Sequence, residues 1–223
     1  MVDSQRYARQ VLQWGEEKQQ IIGASSLLIA GVGGLGTTVS QLMVRAGIGC
    51  LYLVDDGVVV WPDLNRQTLY GEKDVGRKKV TVAQERLNRI NASTRIITID
   101  RRIDSSFTMP TSVQGVADCL DNFDARFALF RATAHGCFFV HGGVQGECGQ
   151  IVTLIKGISQ PLDAIFAGCR QPAGSIPVTP DSVVIIAGLM GNELFSCLGG
   201  TAKLRDRMLI VNLVDLHFSF LAV

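Results

Sequence analysis

The residues best placed to do chemistry are the glycines of Gly31-Val32-Gly33-Gly34-Leu35-Gly36, which follow the short apolar run SSLLIAG. A strand that turns through such glycines into a helix presents free backbone N–H groups and the positive end of the helix dipole to a phosphate. Gly31 permits the tight turn, Gly33 lets a phosphate approach the backbone, and Gly36 lets helix and strand pack closely. Asp55 ends the next apolar run, CLYLVDD, 19 residues after Gly36, where a carboxylate can take ribose hydroxyls. Nucleotide binding is favoured over a turn that needs glycine only for packing. The pattern alone does not separate NAD from ATP.

Cysteine and histidine offer less. The closest cysteine spacing is 11 residues and no C-x-x-C occurs, so no structural zinc site is expected. Cys50, Cys119 and Cys137 lie in apolar runs and read as small core residues. His135, His141 and His217 have no metal-ligand spacing and read as structural histidines.

The elements that must position the turn follow from periodicity. SSLLIAG, CLYLVDD, RIITID, GVADCLD and CFFVHGG are short apolar runs bounded by turn residues, as strands buried on both faces should be. Helical spacing separates them: Leu35, Val39, Leu42, Met43 and Ala46, stopped by Gly47 and Gly49; Val80, Val82, Ala83, Leu87 and Ile90, stopped near Asn91; and Phe127, Leu129, Phe130 and Ala134. Alternation of this kind predicts parallel β-α-β units with right-handed crossovers. Beyond them, GQIVTLIKG and RMLIVNLVDLHFSFLAV read as longer strands, added antiparallel to one edge, with the apolar DSVVIIAGLMGNELFSCLGG as a helix packed between. The expected fold is thus α/β, a Rossmann-like, mostly parallel sheet flanked by helices and extended by antiparallel C-terminal strands. Residues 159–181 hold four of the six prolines and read as a mobile loop.

Bulk properties narrow the class. A 47% apolar content is ample for a core, and 21 basic against 20 acidic residues, without a long run of one sign, argue against a nucleic-acid or membrane-surface binder. The first 25 residues are too polar for a signal peptide. Apolar stretches elsewhere are broken by Gly or charge well before about 18 residues, so no membrane span is expected. The expected location is cytoplasmic, with reduced cysteines.

Six ordered motifs add a family resemblance. RYARQ (6–10), GVGGLG (31–36), LVDDGVV (53–59), DLNRQTLY (63–70), DVGRKKV (74–80) and DCLDNFDAR (118–126) resemble the MoeB/ThiF/HesA adenylyltransferases, relatives of the ubiquitin-activating enzymes. The likeness covers most of residues 5–157 and resumes over about 183–220. It implies one adenylation domain over residues 1–223, with 1–157 as the nucleotide-binding part and 158–223 as loop, helix and C-terminal strands.

The resemblance implies ATP and Mg²⁺ as cofactors and an attack by a carboxylate on the α-phosphate, giving an acyl-adenylate and pyrophosphate. Gly31, Gly33, Gly34, Gly36 and Asp55 would cradle ATP; Arg66 and Lys79 would neutralise its phosphates; Asn65 would add a neutral hydrogen bond. Asp121 would hold Mg²⁺, and Arg9 would reach the neighbouring site of a homodimer. The plainer readings are a solvated helix-start cation at Lys78 or Lys79, with Lys78 the stand-in for Lys79 one residue away, and a helix cap at Asp121. The implied substrate is the C-terminal glycine of a ubiquitin-like sulfur-carrier protein in molybdopterin, thiamine or related sulfur-cofactor synthesis. The alternatives are a small-molecule carboxylate, a catalytically silent protein that docks a carrier, and, least supported, an NAD-dependent oxidoreductase, which leaves Arg66, Lys79 and Asp121 unexplained.

The pattern is broken at four places. Gly57 stands where the family carries a second acid, with Asp56 as an imperfect substitute, and Asp63 stands where DLNRQ would open with Asn, a carboxylate expected to repel a triphosphate. The zinc cysteines are missing. The segment SIPVTPD has no cysteine where many members carry a transfer thiol; Ser175 and Thr179 are poor substitutes, and Cys169 is the alternate thiol.

Overall fold

A computed structural model describes residues 5–169 and 174–223. The strands are β1 (Ser26–Ala30), β2 (Cys50–Val54), β3 (Arg95–Ile99), β4 (Gly115–Asp118), β5 (Phe138–Gln145), β6 (Cys148–Ile155), β7 (Arg207–Asn212) and β8 (His217–Ala222). The helices are α1 (Ala8–Ala24), α2 (Gly34–Ala46), α3 (Lys79–Ile90), α4 (Phe123–Ala132), the short α5 (Leu162–Ile165) and α6 (Pro180–Leu198). All strands join one sheet in the order β3-β2-β1-β4-β5-β6-β7-β8. Pairing is parallel from β3 through β5 and antiparallel from β5 to β8, as the alternation of strands and helices predicts. The chain order reverses direction between β1 and β4, the switch point at which doubly wound sheets open a crevice beyond the strand carboxyl ends.

Strand alternation divides the core. Leu27 and Ile29 of β1 face a layer that includes Val39, Met43, Val82 and Met190. Leu28 and Ala30 face the other way, with Val116, Leu129, Phe130 and Phe139. α6 is the one helix among the described residues long and apolar enough to cross a membrane by length and composition. Here Ile186, Met190 and Leu194 are fully buried, and the helix packs on α2, β5 and β6. The glycines expected to break this apolar run do not end the helix. At Gly191 the missing side chain makes room for Leu42, whose Cδ1 would lie 2.7 Å from a Cβ there.

Two expectations are corrected. RMLIVNLVDLHFSFLAV is a hairpin, β7 and β8, with Asn212 paired to His217 across the turn. The turn is closed by Val214 N–H donating to Asn212 Oδ1 (3.0 Å) and His217 N–H to Asp215 Oδ1 (3.2 Å). Its apolar Leu213, Val214 and Leu216 made it read as continuous strand. The 159–181 segment is not loop throughout: it holds α5, and Thr179 and Pro180 open α6. Residues 170–173 of that segment lie outside the described residues. The N-terminal helix α1 was not foreseen, because its sequence is polar and kinks at Gly15.

Candidate active site

The glycine turn sits at the switch point, between the carboxyl ends of β1 and β4. Gly31 adopts φ +83°, a left-handed backbone that a side chain would strain, and a Cβ there would lie 2.8 Å from the Cys119 carbonyl oxygen. At Gly36 a Cβ would collide with the Gly31 carbonyl oxygen, so this glycine is a packing requirement and does not line the cleft. Gly31, Gly33 and Gly34 do line it. Asp55 ties the turn to the end of β2: Val32 N–H donates to Oδ2 (2.8 Å) and Gly57 N–H to Oδ1 (2.8 Å).

The cleft is a cavity of about 810 Å³ bounded by the carboxyl ends of β1 to β4. Arg66, Lys79 and Asp121 converge in it, although 13 and 42 residues separate them along the chain. Lys79 opens α3 and is turned inward, its Nζ 3.2 Å from Asp63 Oδ2. Lys78 points away: its Nζ pairs with Asp100 Oδ1 (2.9 Å) and the Asp56 carbonyl (3.0 Å) at the surface. The geometry therefore separates the two lysines.

Asp121 lies in the turn after β4. The N-cap position of α4 is held by Asn122, whose Oδ1 accepts from Ala125 N–H (2.9 Å), and Asp121 stands one residue before it. As a hard oxygen donor in a phosphate-sized cleft it fits Mg²⁺, which takes one or two carboxylates and completes its shell with phosphate oxygens and water.

Other expected residues fall elsewhere. Asn65 is exposed and outside the cavity lining; its Oδ1 accepts from Arg66 Nη1 (3.1 Å). Arg9 is exposed on α1 and does not enter its own chain's cleft. Asp56 and Gly57 line the cleft, and Ser175 does as well, while the Thr179 hydroxyl is bonded to Ser182 Oγ (3.1 Å) at the start of α6. Cys169 lies in an adjoining cavity of about 430 Å³, which shares Asp121, Arg126, Val144 and Ile176 with the first. Cys148 opens into that second cavity too. Cys119 is buried as expected, with burial pushing its thiol up; Cys50 and Cys137 are half-buried.

Asp63 departs from expectation in its surroundings. It is 5% exposed and satisfied on all sides: Gln67 Nε2 donates to Oδ1 (2.6 Å), Val60 N–H to Oδ2 (3.1 Å), and Lys79 and Arg66 pair with it at 3.2 and 3.8 Å. It is thus an anion with two resident cations.

Several site residues escaped the sequence reading. Arg101 and Arg102, which follow β3 after Asp100, line the cleft; their place beyond a strand's carboxyl end was the available signal. Gln67 belongs to the DLNRQ motif but had no assigned role. Arg126, in DCLDNFDAR, lines both cavities and joins a buried network with Asp118 and His141.

A crevice at the switch point of a doubly wound sheet, floored by a glycine turn and carrying cations opposite an acid, defines a nucleotide-dependent α/β protein. The ThiF family model matches residues 7–223, and the chain belongs to that family. It is 30% identical to the sulfur carrier protein adenylyltransferase of Thermus thermophilus, over 98% of this chain and 86% of that one. It is also 30% identical to the molybdopterin-synthase adenylyltransferase of Escherichia coli, over 89% of this chain and 83% of the other. Among solved structures, E. coli MccB superposes with a TM-score of 0.86 at 16% identity, over 99% of this chain and 70% of that one, and so shares the fold. By family the chain is an adenylyltransferase, as its motifs implied.

Proposed function

We propose that the protein uses ATP to adenylate the C-terminal carboxylate of a ubiquitin-like sulfur-carrier protein in molybdopterin, thiamine or related sulfur-cofactor synthesis. The observation that carries this reading is the convergence of Arg66, Lys79 and Asp121 on the glycine turn within one cleft. In the reaction a carboxylate oxygen attacks the α-phosphorus. The bond to the β-phosphate bridging oxygen breaks, and pyrophosphate leaves with the electron pair. The protein's task is to position the triphosphate and neutralise charge that grows on the leaving group. N–H groups at the start of α2 face the phosphates, Arg66 and Lys79 meet the negative oxygens, and Asp55 takes the ribose. Asp121 would hold Mg²⁺, which supplies charge neutralisation at the α-phosphate when bound.

The second cavity supports a route for the carboxylate, because it meets the nucleotide cleft at Asp121 and Arg126. Arg9 shares a helix face with Leu12, which is 89% exposed, and this supports a homodimer in which Arg9 serves the partner's cleft.

The test is pyrophosphate exchange into ATP, measured with Mg²⁺ and a purified carrier protein ending in Gly-Gly, beside a panel of small carboxylic acids. Carrier-dependent exchange is expected. Exchange only with a small acid would move the substrate assignment, and carrier binding without any exchange would leave a silent docking protein.

A further inference from the structure

The two cations that a triphosphate would seek are both already engaged by one buried anion. Asp63 Oδ2 lies 3.2 Å from Lys79 Nζ, and Oδ1 lies 3.8 Å from Arg66 Nη2. The Lys79 contact is shielded from water, since the Asp63 and Lys79 side chains are 7% and 15% exposed, and shielded pairs are weakly screened; the Arg66 side chain is more open, at 25%. A polyphosphate entering the cleft must share or displace that carboxylate. Asp63 therefore opposes the ligand twice, by repelling its charge and by holding its partners.

Gln67 records the same constraint. A carboxylate only accepts, so Asp63 obliges Gln67 to present its amide NH₂, at 2.6 Å. The Gln67 Oε1 atom is left buried with no partner among the described residues, in a side chain that lines the cleft. An asparagine at the same place relieves this. Its Oδ1 can accept from Val60 N–H while its NH₂ donates to a turned Gln67 Oε1, which leaves the Gln67 NH₂ facing the cleft as a donor in place of the orphaned oxygen.

We infer that Asp63 is an internal counter-anion that sets the cleft's affinity for polyphosphate, competing with the β- and γ-phosphates for Lys79 and Arg66. It weakens ATP binding, and it eases departure of pyrophosphate by recapturing Lys79. The inference rests on the ATP reading above and concerns a residue that reading does not use.

The experiment is titration calorimetry of the full chain with Mg·ATP, magnesium pyrophosphate and adenosine. Wild type, Asp63→Asn, Lys79→Met and the double variant are compared. Asp63→Asn is expected to bind ATP and pyrophosphate on the order of ten-fold more tightly, with adenosine unchanged. The gain should persist as salt rises, because the pair is shielded, and it should fall to below about three-fold in the Lys79→Met background, because the effect runs through Lys79. The melting temperature of Asp63→Asn is followed alongside to show that the variant is folded. Should it fall, Asp63→Ser repeats the titration with the charge removed and a hydroxyl left for Val60 N–H. Equal or weaker ATP binding by a folded uncharged variant overturns the inference, as does an adenosine gain as large as that for ATP. Failure of every protein to bind ATP overturns the nucleotide reading and the inference with it.

Discussion

His141 Nδ1 lies 2.7 Å from Asp118 Oδ2, with both side chains fully buried. The two residues are cross-strand neighbours in the parallel pairing of β4 with β5. Arg126 completes the group: its Nη1 lies 3.0 Å from the imidazole, and its Nη2 donates to the Leu120 carbonyl. A proton on Nδ1 lets His141 donate to Asp118 and accept from Arg126 at Nε2. The network thus fastens the 119–122 turn, which carries Asp121, to the sheet.

This network makes stability depend on pH. Burial, then the neighbouring Arg126 charge, hold His141 below its ordinary 6.5, and the opposing pull of Asp118 does not prevail. As pH falls through about 6.5 the unfolded chain takes up a proton that the folded chain refuses. The stabilisation is therefore complete above that value and lost below it, down to the folded pKa. Melting temperature followed from about pH 7.5 to about pH 5.5 should fall in wild type and fall less steeply in His141→Gln. Equal slopes would remove His141 from the account.

Asp121 and Asn122 should separate chemistry from stability. Asp121→Asn is expected to lower carrier-dependent pyrophosphate exchange by at least about 100-fold with little change in melting. Asn122→Ala removes the cap on Ala125 N–H and should cost about 1 kcal/mol in denaturant unfolding. Normal exchange in Asp121→Asn would sink its assignment.

The adjacent lysines give a sharper contrast. Lys79→Ala removes a cation from the cleft and should cut exchange by about 100-fold. Lys78→Ala breaks an exposed pair with Asp100, worth about 0–1 kcal/mol, and should leave exchange within about three-fold of wild type. The reverse ranking would place the phosphate contact one residue earlier.

Gly36→Ala tests the packing role of the third glycine. Its Cβ would collide with a backbone carbonyl, which cannot rotate aside as a side chain can. Overpacking of that kind should cost about 1–3 kcal/mol in denaturant unfolding. An unchanged midpoint would show that α2 can shift on β1 without penalty.

What the sequence made legible was local. The buried strands announced themselves as apolar runs between turn residues, and Gly31 and Gly36 carried the strand–turn–helix geometry in their spacing. The hairpin of β7 and β8 was hidden because its turn is as apolar as its strands. Pairings across the fold were hidden for a different reason. Asp118 and His141 are 23 residues apart and meet only through strand register. Asp63 read as a repulsive charge because nothing in its neighbourhood shows that Lys79, 16 residues on, folds back against it.

Arg9 supplies the test of assembly. It stands exposed in the first turn of α1 and does not enter its own cleft, so a role in catalysis requires a second subunit. Arg9→Ala and Asp121→Ala should each be nearly inactive alone. In a mixed dimer, the cleft of the Arg9→Ala subunit keeps Asp121 and receives Arg9 from its partner, so one of the two sites is whole. Co-refolded at equal amounts, the two variants should recover about a quarter of wild-type exchange, since half the dimers are mixed and each has one intact site. Arginine acting within its own chain predicts no recovery, because neither subunit then carries both residues. An Arg9→Ala protein with full activity would remove the residue from the mechanism altogether.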